Sequence, residues 1–230
     1  MVATLEVIAT SVEDAVAAAQ GGADRLEVTW ALEADGLTPP VAMVAEMRER
    51  MDLPLRVMLR SNAGFTTDAR ELANLCRDAE ALRAVGAVAF VFGFLTPAGK
   101  LDLRAMTALI AASAPCPWTL HRAIDHAADA RAVWDAAQKL PRLDIVLSGG
   151  GPDGLPATLG TLCARAHWQT SGVRWLAGGG LLPEHIPPLR AAGITQFHAG
   201  RFARHGQDWD QPVDEAAVRQ LRRALDSAAE

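Results

Sequence analysis

Short runs rich in Val, Ile, Leu and Phe alternate along this chain with longer stretches whose apolar residues recur at helical spacing. Thr4–Ala9 reads as a first strand. Ser11 then caps a helix over Val12–Ala19, with Asp14 in its first turn and Gly21 and Gly22 ending it. Asp24–Thr29 is a second strand, and a polar loop, Ala31–Pro39, leads into a helix from Pro40 to Met51. Leu55–Arg60 is the third strand, and the helical pattern Thr67–Val85 stops at Gly86. Ala87–Phe94 is nearly all apolar, as a parallel strand covered on both faces should be. A turn at Pro97–Gly99 and a helix over Leu103–Ala112 follow. Pro117–His121 is the fifth strand, and Asp129 opens the next helix. Strands over Leu143–Ser148, Val173–Ala177 and Thr195–Ala199 then alternate with helices over Thr158–Trp168, Pro183–Ala192 and Asp214–Ala228.

Strict alternation implies right-handed crossovers and a parallel sheet. Eight such units can close into a barrel or stay open as a doubly wound sheet. An open sheet gathers its chemistry at one switch point. Here polar residues recur near the ends of strands one, two, three, five, six and eight, and only a closed (β/α)8 barrel brings all those ends together. No linker or second composition regime interrupts the 230 residues, so residues 1–230 are expected to form one domain.

Composition narrows the function. The net charge of −5 argues against nucleic acid, which needs a basic face. Arg219, Arg222 and Arg223 fall at helical spacing and read as a solvated helix face. Cys76, Cys116 and Cys163 are odd in number and far apart, which is no disulfide framework and suits a reduced cytoplasm. Met1–Ser11 lacks the basic start of a signal peptide. The uncharged stretch Ala84–Gly99 is shorter than the ~20 residues of a membrane span. A cytoplasmic protein without membrane or nucleic-acid partners is expected.

The chemistry concentrates at the strand ends. Glu6 lies in strand one and Glu27 in strand two. Arg60 closes strand three, and His121 and Arg122 close strand five, with Asp125 four residues after His121. Ser148 closes strand six, and His198 lies near the end of strand eight. An unpaired ion out of water costs several kcal/mol, so carboxylates inside strands need partners. Arg60 is the expected counterion, bridging Glu6 and Glu27. The same group also reads as a buried ion-pair network that only fixes register. Gly178, Gly179 and Gly180 follow strand seven and Gly200 follows strand eight, where barrels often hold a phosphate, with Arg201 adding charge. Those glycines equally suit tight turns. No metal motif is present: the soft donors near the barrel top are Met58, His121 and His198, while Cys116 precedes strand five and Cys76 and Cys163 lie within helices.

The sequence resembles the CutC family, named for copper homeostasis. The resemblance rests on Leu5-Glu6-Val7, Gly22-Ala23-Asp24-Arg25-Leu26-Glu27, Gly36-Leu37-Thr38-Pro39, Val57-Met58-Leu59-Arg60, Val91-Phe92-Gly93-Phe94-Leu95-Thr96, Thr119-Leu120-His121-Arg122-Ala123-Ile124-Asp125, Leu147-Ser148-Gly149-Gly150 and Ala177-Gly178-Gly179-Gly180. It implies a TIM barrel, a cytosolic and often dimeric protein, and copper handling. The family's usual copper candidates are cysteines just after the positions of Glu6 and Glu27; here those positions read Val7-Ile8-Ala9-Thr10 and Val28-Thr29-Trp30. After strand three, Arg60-Ser61-Asn62-Ala63-Gly64 replaces an Arg-Pro-Arg-Gly-Gly run.

Two functions follow. The resemblance implies a copper-homeostasis protein that binds or buffers copper without catalysis. The residues favour an enzyme acting on a small polar or anionic metabolite, phosphorylated ones included. In it, Arg60 and Arg122 clamp the anion, with Ser148, Gly178, Gly179, Gly180, His198 and Gly200 completing the binding site. Glu6 or Glu27 is the acid or base, and His121 transfers a proton or polarises a carbonyl, oriented by Asp125. The cofactor stays open, copper being implied by the resemblance alone.

Overall fold

The computed structural model describes residues 3–227. Strands β1 (Thr4–Ala9), β2 (Arg25–Val28), β3 (Leu55–Met58), β4 (Ala89–Phe92), β5 (Trp118–Leu120), β6 (Leu143–Ser148), β7 (Arg174–Ala177) and β8 (Gln196–Ala199) close in chain order into a parallel barrel. Helices α1 (Val12–Gly21), α2 (Val41–Arg50), α3 (Ala69–Ala84), α4 (Leu103–Ala112), α5 (Ala130–Ala137), α6 (Leu155–Arg165), α7 (Ile186–Ala191) and α8 (Glu215–Ser227) alternate with them. This is the (β/α)8 barrel, a single domain, that the alternation predicts. Among the described residues, no helix is long and apolar enough to cross a membrane.

Local chemistry sets the helix ends. The Ser11 hydroxyl accepts from the Asp14 N–H at 3.1 Å to start α1, and Gly22 ends it at φ 95°. Asp68 and Glu71 form a reciprocal capping box on α3. The expected start of α6 at Thr158 is three residues late. The helix begins at Leu155, whose N–H donates to the Gly179 carbonyl at 2.8 Å. Thr158 is a kink inside it (φ −126°, ψ 20°), where the hydroxyl donates to the carbonyls of Gly149 and Gly154 instead of leaving the helix regular. The expected end of the last helix, Ala228, lies outside the described residues.

Two layers of packing result. The larger apolar core lies between strands and helices and includes Trp118, Trp134 and Trp175. The second lies inside the barrel, where β6 and β7 contribute Ile145, Leu147 and Leu176. On β1, β2, β3 and β8 the buried set instead includes Glu6, Glu27, Arg56 and His198. A barrel half lined by oil and half by ions leaves its charged half available for chemistry.

Candidate functional site

Register places the first group. Across the parallel ladder Glu6 on β1 stands beside Arg25 on β2 and His198 on β8. Its carboxylate accepts from Arg25 Nε at 2.5 Å and from His198 Nδ1 at 2.8 Å, and Arg25 also donates to the Gln196 side-chain oxygen at 2.9 Å. Burial alone would raise the Glu6 pKa, but Arg25 and His198 outweigh it and hold the carboxyl well below its ordinary range. For His198, burial favours the neutral ring, yet the carboxylates of Glu27 and Glu6 prevail and raise its pKa.

Glu27 behaves oppositely. It stands beside Arg56 on β3 in the same ladder. Arg56, however, is spent on Asp144, with Nη1 and Nη2 donating at 3.0 and 2.5 Å. Glu27 is 3% exposed, and its Oε2 finds no hydrogen-bond partner. Burial, reinforced by the Glu6 charge, pushes its carboxyl up to about 7. One carboxylate is thereby locked ionised while its neighbour is poised to exchange a proton near neutral pH.

Above this pair opens a cavity of about 410 Å³ at the C-terminal ends of the strands. Glu27 and His198 line it from below; Arg60, Phe65, His121 and Arg122 line its wall. Arg60 does not bridge the two glutamates, as the sequence suggested. Its guanidinium donates to the carbonyls of Asp35 (2.8 Å), Ala63 and Gly64 (3.4 Å) and lies 5.0 Å from the Phe65 ring centroid. Those partners carry no full charge, so its positive charge stays uncompensated by direct contact. Glu6, with no exposed surface, is absent from the cavity wall and acts through His198 rather than on a ligand.

His121 caps a single 3₁₀ turn, Arg122–His126, with its Nδ1 accepting from the Ala123 N–H at 3.2 Å. The proton must then sit on Nε2, which is buried and has no partner. Burial, with the Arg60 charge behind it, lowers the His121 pKa to about 3. Gly93 makes room: a Cβ there would lie 2.9 Å from His121 Nδ1.

Asp125 does not orient His121. Its oxygens accept from the Ser148 hydroxyl (2.5 Å), the Gly149 N–H (2.8 Å) and Arg122 Nε (2.9 Å). The reason is geometric: the 3₁₀ turn carries Asp125 toward β6, away from the ring. Ser148 is fully buried, donates to Asp125 and accepts from the Gly150 N–H, so it is a strut rather than a ligand contact. Gly178 is likewise outside the cavity, its N–H donating to the Ser148 carbonyl. Gly179, Gly180 and Gly200 do line the cavity, together with Arg201. Gly179 holds a left-handed backbone (φ 80°) that other residues adopt only with strain, and its lack of a Cβ lets the Arg122 guanidinium lie against it.

Charge at the strand ends does not single out Arg25 and Arg56, the cations that accompany the two glutamates. Their signal lies in strand periodicity. Arg25 lies two residues before Glu27, and Arg56 two before Met58, on the same strand faces.

The convergence of Glu6, Glu27 and His198, with ligand atoms within 4.8 Å of one another, invites a metal. The donor set is two carboxylates and an imidazole, which suits a hard divalent ion rather than Cu(I). Arg25 and Arg56 already supply positive charge there. The cysteines are elsewhere: Cys116 follows α4, Cys76 sits on α3 and Cys163 on α6, and none lines the cavity.

A closed eight-stranded parallel barrel with an ionic interior and a strand-end cavity defines the (β/α)8 class. The chain belongs to the CutC family, whose model matches residues 3–202. The family protein CutC of Xylella fastidiosa is 36% identical over 99% of this chain and 90% of its own length. The human copper homeostasis protein cutC homolog is 32% identical over 84% of this chain and 71% of its own. The CutC structure from Streptococcus agalactiae superposes with a TM-score of 0.80 at 21% identity, covering 86% of this chain and 98% of that one.

Proposed function

We propose that this protein is a cytoplasmic barrel enzyme that binds a small anionic metabolite and moves a proton at Glu27. The observation that carries this reading is Glu27 itself: a buried carboxyl with an unpartnered oxygen, poised near neutral pH, on the wall of a ligand-sized cavity. Glu6 holds His198 by its Nδ1, and His198 faces Glu27 as a cationic neighbour that can share the proton. Arg60 and Arg122 supply the anion-binding charge on the same wall, and Gly179 and Gly180 bring backbone close to it. Incubating wild type and Glu27→Gln with a pool of small phosphorylated and carboxylated metabolites, followed by mass spectrometry, tests it. Wild type should convert one of them; Glu27→Gln should bind it but turn it over ~10²–10⁴ times more slowly. Conversion that survives Glu27→Gln rejects the proposal.

A second reading follows the names of the relatives, copper homeostasis. In its favour, Met58, His121, His126 and His198 all line the cavity and offer thioether and imidazole donors. It lacks the thiolates that would make such a site tight, and the ionised Glu6–His198 pair engages one of the imidazoles. A dimer is compatible with either reading.

A further inference from the structure

We infer that the metabolite carries a carbonyl group beside an acidic C–H bond, and that His121 is a catalytic residue which holds the carbonyl oxygen through its Nε2–H while Glu27 takes the carbon-bound proton. This rests on the acid–base reading of Glu27 and adds to it the class of substrate and the partner group.

The geometry decides between the two roles open to a strand-end histidine. A proton shuttle needs a ring that can gain and lose a proton. His121 cannot act that way, because its Nδ1 is engaged by the Ala123 N–H. Arg60 and Arg122 nearby also oppose any added charge. What remains is a neutral ring with one donor, Nε2–H, which no protein acceptor satisfies. A buried donor left unpaired costs free energy, so a ligand acceptor is the partner it lacks. Glu27 offers the complementary orphan, a buried acceptor on the same cavity. β2 and β5 lie three strands apart in the eight-stranded ring, so a ligand in the cavity can touch both. A neutral imidazole is a suitable donor to a developing enolate oxygen, since it lends a hydrogen bond without surrendering its proton.

The step balances without a co-reactant. The Glu27 carboxylate removes the proton from the carbon next to the carbonyl. The C–H electron pair becomes the C=C bond, and the C=O π pair moves to oxygen, where Nε2–H receives it. Return of the proton from Glu27 to the same carbon regenerates the substrate. Where that carbon bears a hydroxyl, passage of the hydroxyl proton to the former carbonyl oxygen and delivery of the Glu27 proton to the former carbonyl carbon yield the isomer. Arg60 and Arg122 hold the anionic end throughout.

Two phosphorylated probes separate this inference from the reading beneath it. Ethyl phosphate presents only the anion; phosphoglycolohydroxamate adds a planar mimic of the enediolate. The hydroxamate should bind ~100-fold tighter than ethyl phosphate, the margin of a transition-state mimic. His121→Ala should erase that margin, read as the ratio of the two probes' affinities within the same variant. His121→Gln, which keeps an N–H donor, should restore part of it and covers the case in which the alanine variant misfolds. Equal binding of the two probes by wild type overturns the carbonyl inference and leaves the anion reading standing. Failure of both probes to bind rejects the anion reading and the inference together. Nitrogen NMR of His121 gives an independent check: a neutral Nε2–H ring at pH 5 is expected, and a protonated ring there overturns the inference.

Discussion

At the scale of single residues, Glu6 and Glu27 show how one interior sets two opposite proton affinities. Both are buried on neighbouring strands, yet Glu6 receives Arg25 and His198 while the guanidinium beside Glu27 is spent on Asp144. A carboxyl raised in the folded state contributes stability that is full below its ordinary value of 4.5 and lost as pH rises through about 7. Glu27→Gln removes that loss. Between pH 5 and 8 the variant should gain on wild type by up to about 3 kcal/mol in urea unfolding, since a tenfold change in proton affinity is worth about 1.4 kcal/mol. Absence of any gain would mean that Glu27 titrates normally. Arg25 gives the opposite sign. The depressed Glu6 contributes stability above its ordinary pKa, lost only as pH falls far into acid. Arg25→Ala should cost about 3–5 kcal/mol near pH 7. The cost should shrink in acid, where the released Glu6 takes up a proton. Arg60→Ala should weaken anion binding and, read by nitrogen NMR, raise the His121 pKa toward its ordinary value, because the Arg60 charge helps burial to lower it. The Glu6 pairing should stay intact, because Arg60 contacts carbonyls and not Glu6. The glutamates were legible in the sequence because charge inside a strand is conspicuous. Strand periodicity puts Arg25 on the face of Glu27, but which glutamate it meets was not legible, since lateral register, which brings Arg25 beside Glu6, is written in no local pattern.

At the scale of elements, the 3₁₀ turn after β5 sets the upper wall of the cavity. It carries Arg122 and Asp125 on one short segment, and Asp125 ties that segment to the start of the β6–α6 loop through Ser148 and Gly149. Replacing Asp125 by Ala would orphan a buried hydroxyl and a buried N–H and leave Arg122 held by the Gly151 and Pro152 carbonyls alone. An orphaned buried donor costs about 1–3 kcal/mol. The variant should therefore lose about 3 kcal/mol of stability in urea, and hydrogen exchange at the Gly149 amide should accelerate. Unchanged exchange there would show that the strut carries no load. The strand–helix alternation made the elements themselves readable, and Ser11, Asp68 and Gly22 mark ends where side-chain caps or positive φ are needed. The start of α6 was hidden because its first residue is held by a distant carbonyl, Gly179, rather than by a local cap. The direction of the Asp125 side chain was hidden for the same reason: a four-residue spacing from His121 suggests contact only on a regular α-helix, and this segment is a tighter turn.

At the scale of the whole molecule, the question is whether the barrel holds copper through its thiols. Cys76 and Cys163 sit on α3 and α6 on the outside of the barrel, and Cys116 packs behind the N-terminal end of β5 with its thiol near the Ala87 carbonyl. Burial raises all three thiols above their ordinary value, as befits three protonated, separately packed side chains. A tight Cu(I) site needs two or more soft donors on one ion, and no two of these cysteines share an element. Titrating the protein with Cu(I) against a competing chelator should show only weak binding. Replacing Cys76, Cys116 and Cys163 together by Ser should remove most of it, while affinity for an anionic probe in the cavity stays as in wild type. A tight one-to-one Cu(I) complex that survives the triple replacement, and is lost with Met58→Leu, would place copper in the cavity among Met58 and the histidines. It would also displace the acid–base reading of that site, because a Cu(I) ion bound there would occupy the space in which Glu27 must meet its substrate.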